Sequence, residues 1–454
     1  MRKPSRQLID QQEGPFFLAL GGAGEIGANL YIYGSQGYWL AVDCGQGFRA
    51  TPGGETQTVV PDLKALEDNG INIQALLITH AHEDHIGALP WLSKKLNCPI
   101  YASPFSRALI EKKLESSNHQ PSLQTIRPLV TYSFGPFKAE WIPVTHSIPE
   151  AHGIYLQAAG RTLYHTGDWK LDAEPLVGHK TAVARLQEIG QQGLDLVIGD
   201  STNAPNPGHS ASEASVKDNL YQVIQKLPNR VLVTCFASNV ARLSSLGKIA
   251  QMTGRQLVVL GFSMEKFIRL GRQLNYLDDF PTLIPARDLG YLPRQEQMIL
   301  CTGSQGEPRA ALARLAAGSH PHLELEAEDQ VIFSSKTIPG NEDAVARLHA
   351  QLTTRKIDIT TEANAPIHAS GHPYQDEIRQ LYTWLKPKHL LAMHGEYRHQ
   401  SEHCQLAKTL DINARVPEEG DIYDLSALPR LVAKVHSGRL LVQGQQLLPL
   451  RENT

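Results

Sequence analysis

Short runs of apolar, β-branched and aromatic residues, each ended by glycine or another turn former, recur along the first part of the chain at 16–20, 29–33, 38–42, 75–79 and 99–102. Their length and boundaries predict strands. Between them, 61–69 and 86–96 carry apolar residues at helical spacing, and 139–144, 154–157, 162–165 and 194–198 return to the strand pattern. This mixture predicts sheets covered by helices. The segment TNAPNPGHSASE at 202–213 is dense in turn formers and predicts a surface loop at a domain boundary. Beyond it the rhythm changes. Apolar strands at 231–236, 257–262, 298–302 and 331–334 alternate with helical stretches at 215–226 and 239–252, the order expected of a parallel α/β sheet. Residues 206–362 are therefore read as a second α/β domain. A helix at 376–385 and a strand at 389–393 follow, and 431–443 reads as a hairpin.

Length agrees with this division, since 454 residues are more than one ordinary domain uses. The longest apolar stretches, such as 196–199 and 257–262, fall far short of the roughly 20 residues of a membrane span. The positively charged start, MRKPSRQLIDQQEG, is not followed by the apolar core of an export signal, so a soluble cytoplasmic protein without membrane partners is expected. Cys44, Cys98, Cys235, Cys301 and Cys404 are scattered without a CxxC pair, which argues against a disulfide framework and a thiolate zinc site alike. A formal net charge of −3 gives no global attraction to nucleic acid; binding of that kind would need a local basic groove.

The densest chemistry lies in LLITHAHEDHIGALPWL, where His80, His82, Asp84 and His85 stand at the end of a predicted strand and just before a helix. Histidines two apart in an extended segment point the same way. The turn that follows can aim Asp84 and His85 at a second point nearby, so one loop can serve two metal ions. Mixed imidazole and carboxylate donors suit zinc, with manganese as the alternative. A polar loop in which Asp84 merely caps the helix would leave the three histidines without a purpose.

This HxHxDH loop resembles the signature of the metallo-β-lactamase superfamily. Further candidates follow in the order that superfamily uses: His146 in VTHSIPE and Asp168 in YHTGDWKLD, each just after a strand. Downstream, IHASGHP holds His372 and LLAMHGEYRH holds His394. These two motifs, with GGAGEIGANLYIY, the DCG of Asp43, Cys44 and Gly45, GDSTNAPNPGHSASE, CTGSQGEP and SSKTIPGNE, resemble the ribonuclease J group of β-CASP nucleases over nearly the whole chain.

The resemblance implies an αββα metallo-β-lactamase sandwich made of residues 1–205 and 363–454, interrupted by an inserted α/β β-CASP domain at 206–362. It also implies two divalent ions, one held by His80, His82, His146 and Asp168, the other by Asp84, His85, the shared Asp168 and His394. Asp84, His372 and Asp200 are implied to take part in the reaction. A phosphate pocket is implied for Ala237, Ser238 and Asn239 with His368, Ala369, Ser370, Gly371 and His372; for His368 a backbone contribution is expected, its side chain facing solvent. The activity implied is hydrolysis of single-stranded RNA, 5′-to-3′ with some endonucleolytic cleavage. The C-terminal domain usual in the group is expected to be absent, which weakens the expectation of a homodimer.

Two motifs read differently. GGAGEIG satisfies GxGxxG at Gly22, Gly24 and Gly27, but a strand-like segment follows where a dinucleotide fold needs a helix. Lys266, Arg269 and Arg272 share a helical stripe, read as a solvated face in preference to an RNA contact. The remaining histidines match no ligand position. Hydrolysis of a small ester, lactone or sulfate is the competing enzymatic reading, because the HxHxDH loop alone serves many reactions. A non-catalytic RNA-binding subunit would have no use for the full donor set.

Overall fold

The computed structural model describes residues 14–50, 56–117, 119–338 and 340–450. All but the last residue of the charged N-terminal segment lies outside them. Period-two alternation builds the first domain. In the strand Phe16–Gly21, Phe16, Leu18 and Leu20 face one apolar cluster while Phe17 and Ala19 face another. The neighbouring strand Leu30–Ser35 splits in the same way, with Leu30 and Ile32 against Tyr31 and Tyr33. A sheet apolar on both faces needs a layer on each side. Here one face meets a second sheet, whose Ala139, Trp141, Ile154, Leu156, Leu196, Ile198, Leu391 and Met393 complete the shared core. Trp141 is fully buried between the sheets, and its indole N–H donates to the Ile78 carbonyl at 2.9 Å.

The first sheet has eight strands, ordered Arg430–Lys434, Asp421–Asp424, Phe16–Gly21, Leu30–Ser35, Tyr38–Val42, Ala75–Leu77, Ile100–Ala102, Leu123–Thr125. The second has seven, ordered Asn413–Arg415, His389–Met393, Leu196–Asp200, Arg161–His165, His152–Ala158, Phe137–Pro143, Thr131–Phe134. Helices Leu89–Leu96 and Pro104–Leu114 cover the outer face of one sheet; Val183–Gln192, Gln375–Leu385 and Tyr397–Lys408 cover the other. This is the αββα sandwich. Leu196–Asp200 pairs in parallel with His389–Met393, register Leu196 to His389, so chain distant in sequence closes one sheet. Between those two strands lies a separate five-stranded sheet, all parallel, in the order Gln256–Leu260, Gln297–Cys301, Val231–Thr234, Gln330–Phe333, Asp358–Thr360. The second α/β domain is thus an insertion.

The structure departs from the sequence reading in three places. Residues 431–443 are not a hairpin: Arg430–Lys434 pairs with Asp421–Asp424, whereas Arg439–Gln443 pairs with Gln446–Pro449 and Thr56–Pro61 in a separate four-stranded sheet. Arg439 redirects the chain, binding Glu25, Glu419 and the Leu20 carbonyl. Phe262 does not end a strand but begins the helix Phe262–Gln273. The 202–213 segment is more than a surface loop, since Ser210 donates to buried Glu377 through both its N–H and its hydroxyl.

A buried ion pair joins two helices of the inserted domain and reaches the chain just beyond it at Ile367. Arg242, fully buried on the inserted domain's helix Val240–Met252, donates to both carboxylate oxygens of Glu213, at 3.0 and 3.1 Å, and to the carbonyls of Ser334 and Ile367. Burial works against the charge on Glu213, but Arg242 holds its carboxyl below the usual range. Removing one member leaves the other charge buried and unpaired. Arg242→Met is therefore expected to lose about 3–5 kcal/mol of stability, and Arg242→Met with Glu213→Leu to recover part of it. Denaturant unfolding of the three proteins checks this; equal losses in the single and double variants would contradict the pairing.

Candidate metal centre

The chemistry gathers at the carboxyl ends of strands, where loops leave a rigid sheet. After Ala75–Leu77 the chain turns through His80 and His82 into the short helix Glu83–Ile86; Asp168 follows Arg161–His165, Asp200 ends Leu196–Asp200, and His394 follows His389–Met393. His394 has φ +51°, a left-handed conformation unusual outside glycine and common at functional sites. Its N–H donates to the Gly22 carbonyl at 2.6 Å, which places it against the glycine loop of the first sheet. Gly45 permits the other close approach, for a Cβ there would sit 1.5 Å from the Asp84 carbonyl oxygen.

Three overlapping donor groups result: the two described next, and a third made of Asp168, Asp200, His372 and His394. In the first, His80 Nε2 and His146 Nε2 lie 3.1 and 3.0 Å from His82 Nδ1, with Asp168 Oδ2 3.6 Å from His80 and 3.8 Å from His146. In the second, Asp84 Oδ2 is 3.2 Å from His394 Nε2 and 3.5 Å from His85 Nε2, and Asp168 Oδ2 is 3.2 Å from His85 Nε2. Asp168 belongs to both groups.

The far nitrogen of four of the five rings is tied by a hydrogen bond that turns the near one inward. His85 Nδ1 meets Asp43 Oδ2 at 2.7 Å, His146 Nδ1 the Gly371 carbonyl at 2.6 Å, His394 Nδ1 the Thr202 hydroxyl at 2.8 Å, and His80 Nδ1 the Thr79 hydroxyl at 3.1 Å. Such partners fix tautomer and orientation at metal sites. Burial lowers His80 and His146 well below the usual imidazole range and His82 to about 4. Two neutral Nε2 lone pairs therefore converge on His82 Nδ1. At most one can be met by a proton, while a cation meets all three; the donor set fits a divalent ion. In the second group burial opposes protonation of His85 and His394, but Asp168 outweighs it, aided by Asp84 at His85 and by Asp200 and Asp84 at His394, and both rings are raised well above their usual range. That group too calls for positive charge.

Beside both groups, His372 Nδ1 lies 2.7 Å from Asp200 Oδ2, and its ring stacks on His394 with centroids 5.4 Å apart. Burial would keep His372 neutral; Asp200 and then Asp168 overcome it and raise its pKa. Asn203 donates to Ser370 Oγ at 2.6 Å and to the His372 carbonyl at 3.2 Å, which fixes the 368–372 loop.

The remaining predicted residues are less directly placed. Ala237 and Ala369 share one apolar cluster, but among the described residues no hydrogen bond joins 237–239 to 368–372. The Asn239 side chain is occupied, accepting from the Arg242 N–H as a helix cap and donating to Glu213. His368 does not face solvent: it is half-buried, and burial lowers its pKa to about 3. Of the basic stripe, Arg269 and Arg272 are exposed and Lys266 is half-buried, and Arg272 also donates to the Phe280 and Pro281 carbonyls. The glycines at 22, 24 and 27 all have positive φ and lead into a strand. Asp43, Thr79, Thr202 and Asn203 were not singled out from sequence as orienting groups. An acid directly after the predicted strand 38–42, in the DCG quoted above, was the available signal for Asp43; its burial and its φ of +62° appear only in the fold.

Three family models match the chain: metallo-beta-lactamase superfamily over 23–218, ribonuclease J beta-CASP domain over 228–352, and Zn-dependent metallo-hydrolase RNA specificity domain over 356–417. A ribonuclease J of Sinorhizobium meliloti is 40% identical over 405 residues, covering 87% of this chain and 71% of the relative. The chain belongs to the ribonuclease J family. Ribonuclease J of Mycolicibacterium smegmatis is 36% identical over 94% of the chain and 77% of its own length, and ribonuclease J 1 of Streptococcus pyogenes 38% over 90% and 74%. A solved structure of a protein of unknown function from Enterococcus faecalis shares the fold, with a TM-score of 0.63 at 14% identity, covering 90% of this chain and 99% of that one. In this ribonuclease J family member the metallo-β-lactamase domain with its β-CASP insertion carries a His/Asp cluster suited to divalent metal ions. None of its described helices is long and apolar enough to cross a membrane.

Proposed function

We propose that the protein is a metal-dependent ribonuclease that hydrolyses phosphodiester bonds of single-stranded RNA in the cytoplasm, trimming 5′-to-3′ with some endonucleolytic cleavage. The observation that carries the reading is the convergence of two donor groups on Asp168 beside the His372–Asp200 pair, in a chain of the ribonuclease J family. The ligands proposed are His80, His82, His146 and Asp168 for one ion, and Asp84, His85, Asp168 and His394 for the other, zinc first and manganese as the alternative. The bounds proposed for the inserted domain are residues 206 and 362.

Divalent ions bound there would supply Lewis acidity and lower the pKa of water near neutrality. The chain's own part is to hold and charge the phosphate's surroundings. Asp200 keeps a proton on His372, whose Nε2 points toward Asp168 at 3.9 Å. From there it can donate to the oxygens on which charge grows as the phosphodiester is attacked. The small residues Ala369, Ser370 and Gly371, just before the helix Gln375–Leu385, let a phosphate approach backbone N–H groups, and Ala237, Ser238 and Asn239 are proposed to close the pocket from the inserted domain.

Loaded with zinc or manganese, the protein is expected to bind two ions per chain, since seven donors exceed what one such ion ordinarily takes. It should release nucleotides from 5′-monophosphorylated RNA. Elemental analysis and cleavage assays on 5′-monophosphorylated and 5′-hydroxyl RNA, beside a lactone, an aryl ester and a sulfate ester, test both points. A protein inert on RNA but active on one of those small substrates would replace the ribonuclease reading with the small-molecule one.

A further inference from the structure

Exposed aromatic side chains are few among the described residues, and two of them stand on segments that flank the second donor group. Phe48 is 62% exposed and Tyr397 71%. Each is followed by an exposed arginine, Arg49 and Arg398, and neither arginine forms an ion pair with another described residue. The segments carrying them border one loop. Gly24 pairs with Glu396 in an isolated bridge next to Tyr397, and at the loop's other end a Cβ on Gly27 would lie 3.7 Å from both the Gly47 Cα and the Asp84 Cβ. Ile26, 40% exposed, stands between those two contacts. The backbone ties the arrangement to the site, for Asn29 N–H donates to the Asp84 carbonyl at 3.1 Å and Gln46 N–H to the Glu83 carbonyl at 3.0 Å. Tyr397 comes three positions after His394.

We infer that Phe48 and Tyr397, with Arg49 and Arg398, form a stacking platform for the RNA strand on the 3′ side of the scissile phosphate. The inference rests on the ribonuclease reading above. Every base presents a π-face, so exposed aromatics beside unpaired cations bind single strands without regard to sequence, the rings taking bases and the guanidinium groups taking phosphates. The proposed trimming sets the polarity. The 368–372 loop, the proposed phosphate pocket, reaches both donor groups, at His146 and at His394, and the platform's loops reach the second at Asp84. In 5′-to-3′ trimming the strand that remains to be bound lies 3′ of the scissile phosphate, so a platform beside the site serves that side. An apolar, cationic rim on an acidic chain of net charge −3 also provides the local attraction that overall composition does not.

The test compares kcat/KM for a 5′-monophosphorylated dinucleotide and a single-stranded 12-mer in wild type, Phe48→Ala, Tyr397→Ala and the double variant, all metal-loaded. The ratio of 12-mer to dinucleotide efficiency is expected to fall roughly 5- to 100-fold per ring, mainly through KM. Phe48→Trp and Tyr397→Phe should restore it. Arg49→Gln and Arg398→Gln should each lower the slope of log KM against log salt by about 0.7. Variants that keep the wild-type ratio, or that lose both substrates equally, would overturn the platform while leaving the ribonuclease reading intact. A wild type that cleaves neither RNA defeats that reading and the platform with it.

Discussion

Asp168→Ala is expected to fall from two bound ions per chain to fewer than one and to lose RNA cleavage by about a thousandfold or more, on the order of 4 kcal/mol in the barrier. No other residue takes part in both donor groups proposed for the ions. Its Oδ2 lies within 4 Å of His80, His85 and His146, and its Oδ1 is 3.6 Å from His394 Nδ1. Losing it removes the shared anion and leaves His85 and His394 without the strongest of the charges that raise them. Its own carboxyl is held well below the usual range; burial opposes this, and His394, His85 and His372 overcome it. The measurement is elemental analysis after dialysis against zinc or manganese, together with single-turnover cleavage of 5′-monophosphorylated RNA. Retention of two ions with cleavage within tenfold of wild type would remove Asp168 from the bridging role.

The second large effect separates donor from ligand. His372→Ala should cut RNA cleavage by on the order of a hundredfold or more, about 3 kcal/mol, with metal content nearly intact. His394→Ala should reduce both. His372 pairs with Asp200 and stacks on His146 and His394, and its backbone is held by Asn203; those two ligands keep their own ties to the Gly371 carbonyl and the Thr202 hydroxyl when its imidazole is removed. His394 instead sits in a left-handed turn with Nε2 on Asp84 and its other nitrogen on Thr202. Metal content and single-turnover rates of both variants, measured beside wild type, decide the matter. Full cleavage by His372→Ala would end its assignment, and full metal occupancy in His394→Ala would end the other.

The sequence by itself determined the local chemistry and most of the elements that carry it. Four donors within six residues at a strand end were legible because strand periodicity and turn composition are local properties, whereas His146, Asp168, His372 and His394 were joined to them only by the resemblance to the family's motifs. The alternation of strands and helices between 231 and 334 showed the inserted parallel sheet for the same reason. Pairing was not legible. Nothing within 431–443 shows that its two strands enter different sheets, since that depends on Thr56–Pro61 being free to pair and on Arg439 reaching Glu25 and Glu419.

The orienting groups were hidden likewise. Asp43, Thr79 and Thr202 act through the ring nitrogen each one holds, and two of those three contacts join residues far apart in the chain. Tertiary structure also decided the protonation of the site, where burial drives His80, His82 and His146 toward neutrality while nearby carboxylates drive His85 and His394 the other way. Five histidines that look alike in sequence thus divide into two kinds, because an imidazole's charge is set by the desolvation and the neighbouring charges that only the folded chain brings to it.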